Sequence, residues 1–250
     1  MEQGIKTVRF MVVVSVVFIA ILATVNEATR ARIEKNFELE QAKSMLYAFD
    51  IFPQGVTDEQ LSPSAVTADI PWTNEDVLHA ISTQLKPVTI QIPESIRTDL
   101  AGTFLEGRSS LEVYEAVDSE GKVVAYGVPL YGKGLWGSIE AFGVISADLR
   151  KMNGIDFTKQ SETPGLGARI MQEEYKHFFR NLDLSGFYRQ DAVQTPIVMV
   201  KQKDQSNIEQ STNSIQAVTG ATLTSQGVLK MVNDNLAIYI KILHEYQKQG

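Results

Sequence analysis

The feature that most constrains this chain is an apolar run near its N-terminus. Residues 10–25 read FMVVVSVVFIAILATV, in which Ser15 and Thr24 are the only polar side chains. As a helix this run would cover about 24 Å, and Lys6 and Arg9 could reach from its end toward lipid headgroups and lengthen the span. Such a segment favours lipid over water, so it predicts contact with a lipid bilayer.

A retained anchor and a cleaved signal peptide are the two interpretations of this run. Small residues at positions −1 and −3 mark a cleavage site, and the best candidate, Ala23, has Ile21 at position −3. We therefore predict a transmembrane anchor over residues 1–26. Because positive residues precede the span, we place the N-terminus in the cytoplasm and residues 27–250 outside it.

The segment after the anchor is predicted to be a stalk. Apolar residues at a rough helical period, with many charged residues between them, extend the helix from residue 27 to about 49, and Phe52-Pro53 ends it. Residues 50–72 are rich in Pro, Ser and Thr, which predicts a loop or a short exposed helix. The chain is thus divided into the anchor, a stalk and linker over 27–72, and a domain over 73–250.

Two helices are predicted within the domain before its C-terminal part. A Thr-x-x-Asp pattern at 73–76 opens the first helix, which runs to about Leu85 and ends at Pro87. The second helix covers residues 170–182. The residues predicted to face the core are Val77, Leu78, Ile81 and Leu85 in the first helix, and Phe178, Phe179 and Leu182 in the second.

A long helix is predicted at the C-terminus. It begins at Ser225, with Thr224 or Ser225 as its N-cap, and covers residues 225–247. Apolar residues at helical spacing indicate a face that packs on the core. These residues are Val228, Met231, Val232, Leu236, Tyr239, Ile240 and Leu243.

Alternation of apolar and polar residues predicts the strands. Residues 111–130 alternate around a turn that ends at Gly121, which tolerates the positive φ of a hairpin turn. Residues 139–147 and 197–201 predict further strands, and the polar stretch 202–214 predicts a surface excursion. Strands in the middle and helices at both ends predict an α+β fold with a mainly antiparallel sheet, preceded by one transmembrane helix.

Composition excludes several kinds of site. The chain has no cysteine, which rules out disulfides, Cys-ligated zinc, iron–sulfur clusters and a thiol nucleophile. Its three histidines, His79, His177 and His244, lack the spacing of a metal site, so we expect no bound metal. The net charge of −7 and the absence of a basic stripe predict that nucleic acid is not a partner.

Three segments combine glycine with hydroxyl or aromatic side chains: GKGLWG at 132–137, ETPGLG at 162–167 and VTGATLTSQG at 218–227. The first matches GxGxxG, but a dinucleotide fingerprint follows a parallel strand and opens a helix, whereas here a hairpin precedes and a strand follows. The first segment is either a tight turn that lets Trp136 fold back on the sheet, or an apolar wall of Leu135 and Trp136 for a flat ligand.

The second and third segments leave similar alternatives open. ETPGLG is a turn by composition, either an ordinary connection or a source of exposed N–H groups for a ring ligand beside Leu166. In the third segment Thr219, Thr222, Thr224 and Ser225 place four hydroxyls at the start of a long helix. Unpaired N–H groups and the helix dipole favour an anion there, and a plain helix cap is the alternative.

In their order behind an N-terminal anchor, these segments resemble the covalent FMN-binding subunit of the Na⁺-translocating NADH:quinone reductases, in the FMN-binding domain family. The motifs that carry the resemblance are LYGKGLWG at 130–137, ETPGLG at 162–167 and TGATLTS at 219–225. The related subunit of the Rnf-type ferredoxin:NAD⁺ oxidoreductases shares the last two motifs. One position departs from the pattern, because Gln216 stands where such proteins usually have an acid, six residues before Thr222.

The resemblance implies a cofactor and its surroundings. Thr222 would carry FMN in a phosphoester, attached by a separate flavin transferase that uses FAD and Mg²⁺. Around the phosphate the resemblance implies Thr219, Gly220, Ala221, Leu223 and Thr224, and near the isoalloxazine ring it implies Glu162, Thr163, Gly165, Leu166, Leu135 and Trp136. It implies no catalytic acid or base and no metal ligand, because the redox chemistry belongs to the flavin.

The implied function is that of an electron-carrying flavoprotein subunit of a sodium-translocating NADH:quinone oxidoreductase. Such a subunit would sit in a bacterial inner membrane, with its domain on the periplasmic side, other membrane subunits as partners and no NADH site of its own. An Rnf-type subunit with the same flavin is one alternative, and a membrane-anchored binding or scaffold module is another. A threonine hydrolase is disfavoured because no His or Lys lies near Thr222 in the sequence.

Overall fold

The computed structural model of the chain describes residues 2–53, 72–188, 196–200 and 213–249. Most of the predicted linker over 50–72 and of the predicted excursion over 202–214 lies outside these residues. The chain divides into two compact units, Met1–Gln41 and Ala42–Gly250.

A single helix, α1, covers Glu2–Ala48 without interruption. Its length and composition suffice to cross a membrane. Its apolar side chains are exposed in the isolated chain, from Phe10 at 69% to Val25 at 55%, and an apolar surface of this kind needs a partner. The helix ends at Ala48 and not at the predicted Phe52-Pro53, because the backbone of Asp50 turns with a φ of +58°.

Six strands form one antiparallel sheet in which each strand pairs with the next along the chain. They are β1 Leu85–Gln91, β2 Ser110–Val117, β3 Val123–Lys133, β4 Ser138–Ser146, β5 Lys151–Lys159 and β6 Leu182–Asp183. The predicted hairpin is confirmed as β2 and β3, with a φ of +80° at Gly121, and the strand predicted over 139–147 is β4. The predicted α+β fold with a mainly antiparallel sheet is therefore confirmed.

The first helix of the domain, α2, covers Asn74–Gln84. The predicted cap is confirmed, since the Thr73 side chain accepts from the Asp76 N–H and the Asp76 carboxylate accepts from the Thr73 N–H. The predicted stop is wrong: Pro87 lies inside β1, which is an edge strand and tolerates the missing N–H. The prediction that Leu78 faces inward is also wrong, because this side chain is 66% exposed.

The long helix predicted over 170–182 is wrong. The segment contains a 3₁₀ turn at Gly167–Met171, a short helix at Glu173–Lys176 and a second 3₁₀ turn at His177–Phe179. Gln172 has extended backbone angles and separates the first two elements, and Leu182 already belongs to β6. Of the three predicted core residues here, Phe179 and Leu182 are buried and Phe178 is partly buried.

Two short helices lie in the middle of the chain, α3 at Glu94–Arg97 and α4 at Glu173–Lys176. The C-terminal helix, α5, covers Thr222–Gln247. All seven residues predicted to face the core are 4% exposed or less, which confirms its apolar face. The helix starts three residues earlier than predicted, and its N-cap is Ala221 instead of Thr224 or Ser225. The reason is that the Ser225 N–H already donates to the Ala221 carbonyl at 3.0 Å.

Side chains of α5 complete the hydrogen bonding of β3. The pairing of β3 with β2 extends only to Gly127, so the backbone beyond it needs other partners. The Asn235 amide accepts from the Tyr131 N–H at 2.9 Å and donates to the Tyr131 carbonyl at 3.1 Å. The Tyr239 hydroxyl donates to the Pro129 carbonyl at 2.8 Å. Helix α5 thus takes the place of a neighbouring strand.

A second asparagine fixes α5 on another side. The Asn233 amide accepts from the Ile197 N–H and donates to the Ile197 carbonyl, both at 3.0 Å. Ile197 leads into strand β7, Val198–Val200, which pairs in parallel with strand β8, Ser214–Gln216. The strand predicted over 197–201 is therefore confirmed within the described residues.

A buried cluster of charges fastens α4 to β5. The Lys176 ammonium lies 2.9 Å from the Asp156 carboxylate and 3.0 Å from that of Glu173, and all three residues are buried. Burial is the main cause that raises the pKa of Asp156 to about 6, although the charge of Lys176 acts in the opposite direction. The folded state therefore binds a proton at Asp156 more tightly than the unfolded chain does.

This difference predicts a pH dependence of stability. As the pH rises from about 4 to 6, the unfolded chain loses the Asp156 proton before the folded chain does, so this group lowers the free energy of unfolding by on the order of 3 kcal/mol. Asp156→Asn removes the titration. Denaturant unfolding of the full chain in detergent should therefore show that the free energy of unfolding of the wild type increases relative to that of the variant as the pH is lowered from 7 to 4. A difference that is constant over this range would contradict the assignment.

Candidate functional site

The three glycine-containing segments meet at one pocket of about 320 Å³, a size typical of small-molecule sites. It lies between the β3–β4 turn, the connection after β5 and the start of α5. Its lining residues are Leu135, Trp136, Glu162, Thr163, Leu166, Gly167, Gly220, Ala221, Thr222, Leu223 and Thr224. The structure thus brings together all the predicted site residues except Thr219 and Gly165, and adds Gly167.

The first wall is the tip of the β3–β4 hairpin. The strands pair up to Lys133 and Ser138, and the Gly134 N–H donates to the Gly137 carbonyl at 2.8 Å to close the turn. Leu135 and Trp136 stand at the tip, with exposed fractions of 49% and 70%. Trp136 therefore does not fold back on the sheet, and an apolar and aromatic surface faces the pocket.

The second wall is the turn that follows β5. The Thr163 carbonyl accepts from the N–H groups of Leu166 and Ala168, both at 3.1 Å. Gly165 lies between Thr163 and Leu166, has a φ of +75°, and is exposed but not part of the pocket lining. The turn presents the Leu166 side chain, which is 45% exposed, across the pocket from the hairpin tip.

The third wall is the start of α5, where the predicted hydroxyl cluster separates into different roles. The Ser225 hydroxyl is buried, accepts from the Val218 N–H at 2.9 Å and donates to the Ala221 carbonyl at 3.0 Å. Thr224 is also buried. Thr219 is exposed but lines a neighbouring depression that also contains Gln216.

Thr222 differs from the other three hydroxyl residues. It is exposed and lines the pocket, and its hydroxyl forms no hydrogen bond within the described part of the chain. It is also the first residue of α5, and no side chain caps the helix at Ala221. The N–H groups of a first helical turn have no partner within the helix and carry its positive dipole end. The position therefore combines an available hydroxyl with an environment that favours an anion.

The carboxylate of Glu162 joins the three walls. Glu162 is 5% exposed, and its Oε1 accepts a hydrogen bond from the backbone N–H of Trp136 at 3.0 Å. Its Oε2 accepts from the Thr224 hydroxyl at 2.5 Å. One side chain thereby binds both Trp136, which lies 26 positions away in the chain, and Thr224, which lies 62 positions away. Among the described residues that line the pocket, Glu162 is also the only ionisable one.

Two glycines make room for this carboxylate. A Cβ atom on Gly134 would collide with the Glu162 Oε1 atom. A Cβ atom on Gly167 would lie 2.6 Å from the Thr224 hydroxyl oxygen and 2.9 Å from the Glu162 Oε2 atom. Sequence reasoning assigned these glycines to turns, but the structure shows that they also permit close packing around a buried charge. No sequence signal reveals the bridge itself, because its partners are far apart in the chain.

Comparison with known proteins finds a family match over the part of the chain that forms this pocket. Residues 134–237 match the model of the FMN-binding domain, a range that includes the three walls. This segment of the chain is similar to the FMN-binding domain. All residues that line the pocket fall within the matched range.

Two relatives show different extents of similarity. A subunit of the Na⁺-translocating NADH-quinone reductase of Pasteurella multocida is 33% identical over 134 residues, which are 54% of this chain and 48% of that protein. The chain therefore spans about half of that relative's length. A subunit of the ion-translocating oxidoreductase complex of Methanosarcina acetivorans is 26% identical over 224 residues, which are 90% of this chain and 88% of that protein.

The fold is also shared with a solved structure. The NqrC protein of Shewanella oneidensis superimposes with a TM-score of 0.62 at 18% identity, over 87% of this chain and all of that one. At this identity the likeness shows the fold.

The approach of α5 to the hairpin predicts the effect of a single methyl group. A Cβ atom on Gly227 would collide with the Lys133 carbonyl oxygen. We expect Gly227→Ala to lower the free energy of unfolding by about 1–3 kcal/mol, as overpacking does. Helix propensity alone predicts the opposite sign, a gain of about 1 kcal/mol for Ala over Gly. Denaturant unfolding measures the difference, and a stabilised variant would show that the helix can move away from the hairpin at little cost.

Proposed function

We propose that the pocket holds FMN through a phosphoester to the Thr222 hydroxyl, and that the chain carries electrons as a subunit of a sodium-translocating NADH:quinone oxidoreductase. The observation that carries this proposal is the position of Thr222. Its hydroxyl is exposed and forms no hydrogen bond to a described residue, and it stands at an uncapped helix start inside a pocket of suitable size. The family match supports FMN as the ligand.

The residues of the pocket fit both ends of the cofactor. A phosphodiester at Thr222 would retain one negative charge, which the N-terminal end of α5 favours. The flat ring would lie among Leu135, Trp136 and Leu166, which offer apolar surface at the pocket rim. When bound, the flavin supplies the capacity to accept and release electrons, and this chain supplies its position and electrostatic surroundings.

Attachment would require a separate enzyme. The Thr222 Oγ1–phosphorus bond forms, the pyrophosphate bond of FAD breaks, AMP leaves and the hydroxyl proton is lost. A threonine hydroxyl needs a base for this step. Glu162 is the only ionisable residue of the described lining, and both of its oxygens already accept hydrogen bonds. We therefore propose a flavin transferase that uses FAD and Mg²⁺, and the same observation disfavours a threonine hydrolase.

A covalent bond suits the location that we propose for the domain. Helix α1 would anchor the chain in a bacterial inner membrane by a single span, with the domain on the periplasmic side. Outside the cytoplasm a dissociated flavin would be lost, whereas a tether keeps it at an effective concentration on the order of mM. The ring can then stay partly exposed for electron exchange with other membrane subunits, and the chain needs no NADH site of its own.

A second candidate is the flavin-carrying subunit of an Rnf-type ferredoxin:NAD⁺ oxidoreductase. The similarity to the Methanosarcina relative extends over 88% of that protein, whereas the similarity to the Pasteurella relative covers 48%. The KGLWG sequence at the hairpin tip favours the quinone reductase, as does the higher identity to the Pasteurella protein. The subunits that co-purify with the full chain discriminate between the two complexes.

The covalent bond predicts a simple experiment. The full chain, produced in a host that has the transferase, should give a band that fluoresces under ultraviolet light on a denaturing gel. Thr222→Ala should abolish this fluorescence, because no other hydroxyl of the described pocket lining is both exposed and at the helix start. Thr89→Ala removes an exposed hydroxyl from β1, outside the pocket, and should leave the fluorescence unchanged.

Two outcomes would contradict the proposal. Undiminished fluorescence of the Thr222→Ala band would show that the flavin is attached to another residue. A dark wild-type band under the same conditions would favour a scaffold module in which the start of α5 has only a structural role.

A further inference from the structure

Glu162 carries a buried negative charge without a cationic partner. Its side chain is part of the pocket lining and the residue is 5% exposed. Within the described ranges of the chain, no Lys, Arg or His forms an ion pair with it, in contrast to buried Asp156 and Glu173, which share Lys176. Burying a charge without an opposite charge is costly, so its retention at this site calls for an explanation.

Two neutral donors bind the two oxygens of the Glu162 carboxylate. The backbone N–H of Trp136 can only donate, and it occupies Oε1. The Thr224 hydroxyl donates to Oε2 at 2.5 Å, a length typical of an O–H donor to a carboxylate oxygen. The two glycines described above leave space for the carboxylate and bring no charged group. Neutral donors therefore hold the charge in place without cancelling it.

We propose that Glu162 sets the reduction potential of the flavin in this pocket. The proposal rests on the function proposed above, because it requires the ring to occupy the space between Trp136 and Leu166. An electron added to the ring adds negative charge near the Glu162 carboxylate. Because Glu162 is 5% exposed, water screens the repulsion between the two charges only in part. Glu162 therefore opposes reduction and lowers the potential. In this role the carboxylate acts through its electrostatic effect on the ring and takes no part in the electron transfer itself.

A purely structural role would give a different result. Glu162→Gln keeps the size of the side chain and its capacity to bond both Trp136 and Thr224, but it removes the charge. Glu162→Asp keeps the charge and shortens the side chain by one methylene group. A structural role predicts that both variants lose flavin or stability, with no shift of potential in the molecules that retain the flavin. A charge effect predicts that Glu162→Gln raises the reduction potential of the flavin and that Glu162→Asp does not.

The experiment uses the full chain in detergent, flavinylated in a host that has the transferase. In-gel fluorescence gives the flavin occupancy, and spectroelectrochemical titration gives the midpoint potential of the bound flavin. We expect Glu162→Gln to favour uptake of the first electron at least tenfold, which corresponds to about 59 mV. Glu112→Gln removes an exposed carboxylate on β2 and should leave the potential unchanged.

A second variant tests the proposal if Glu162→Gln fails to fold. Thr224→Val has nearly the same shape but removes the donor at Oε2, so the negative charge is less offset and the potential should fall, opposite in sign to the Gln variant. An unchanged potential in a flavinylated Gln variant, or a potential that is unchanged or raised in the Val variant, would overturn the inference alone. A wild-type chain without covalent flavin would overturn the proposed function and this inference with it.

Discussion

The site depends on one carboxylate that ties together three distant parts of the chain. Glu162 accepts hydrogen bonds from the hairpin tip and from the first turn of α5, while its own backbone belongs to the turn after β5. Each hydrogen bond is worth about 1.5–3 kcal/mol when one partner is charged, and losing one would leave a buried charge uncompensated. The arrangement therefore has few alternatives, and the pocket between the three segments has a defined shape.

The sheet and α5 bring these segments close enough for the carboxylate to join them. Asn235 and Tyr239 bind the backbone of β3 beyond the end of its pairing with β2, which fixes α5 along that strand. The glycine at position 227 then lets the helix start come into contact with the hairpin. The position of Thr222 follows from this geometry, because the first turn of a helix fixed in this way projects beyond the strand and into the pocket.

Local patterns predicted the parts of this fold that depend on neighbouring residues. The apolar face of α5 repeats at helical spacing, and all of its predicted core residues are buried. The cap of α2 and the β2–β3 hairpin also follow from a few adjacent residues. The helix expected over 170–182 failed because Gln172 has extended backbone angles and Leu182 pairs with β5 as part of β6, and apolar spacing alone shows neither. Pro87 failed as a stop signal because an edge strand accepts proline.

The candidate site shows the same division. Its members could be selected from three short motifs, but their separate roles could not, since four hydroxyls close in sequence differ in burial and bonding only after α5 is packed. A crystal structure of the flavinylated full chain tests the account most directly. It should show electron density continuous from Thr222 Oγ1, a ring between Trp136 and Leu166, and both hydrogen bonds of Glu162 intact. Density attached to another hydroxyl, or a ring outside this pocket, would contradict it.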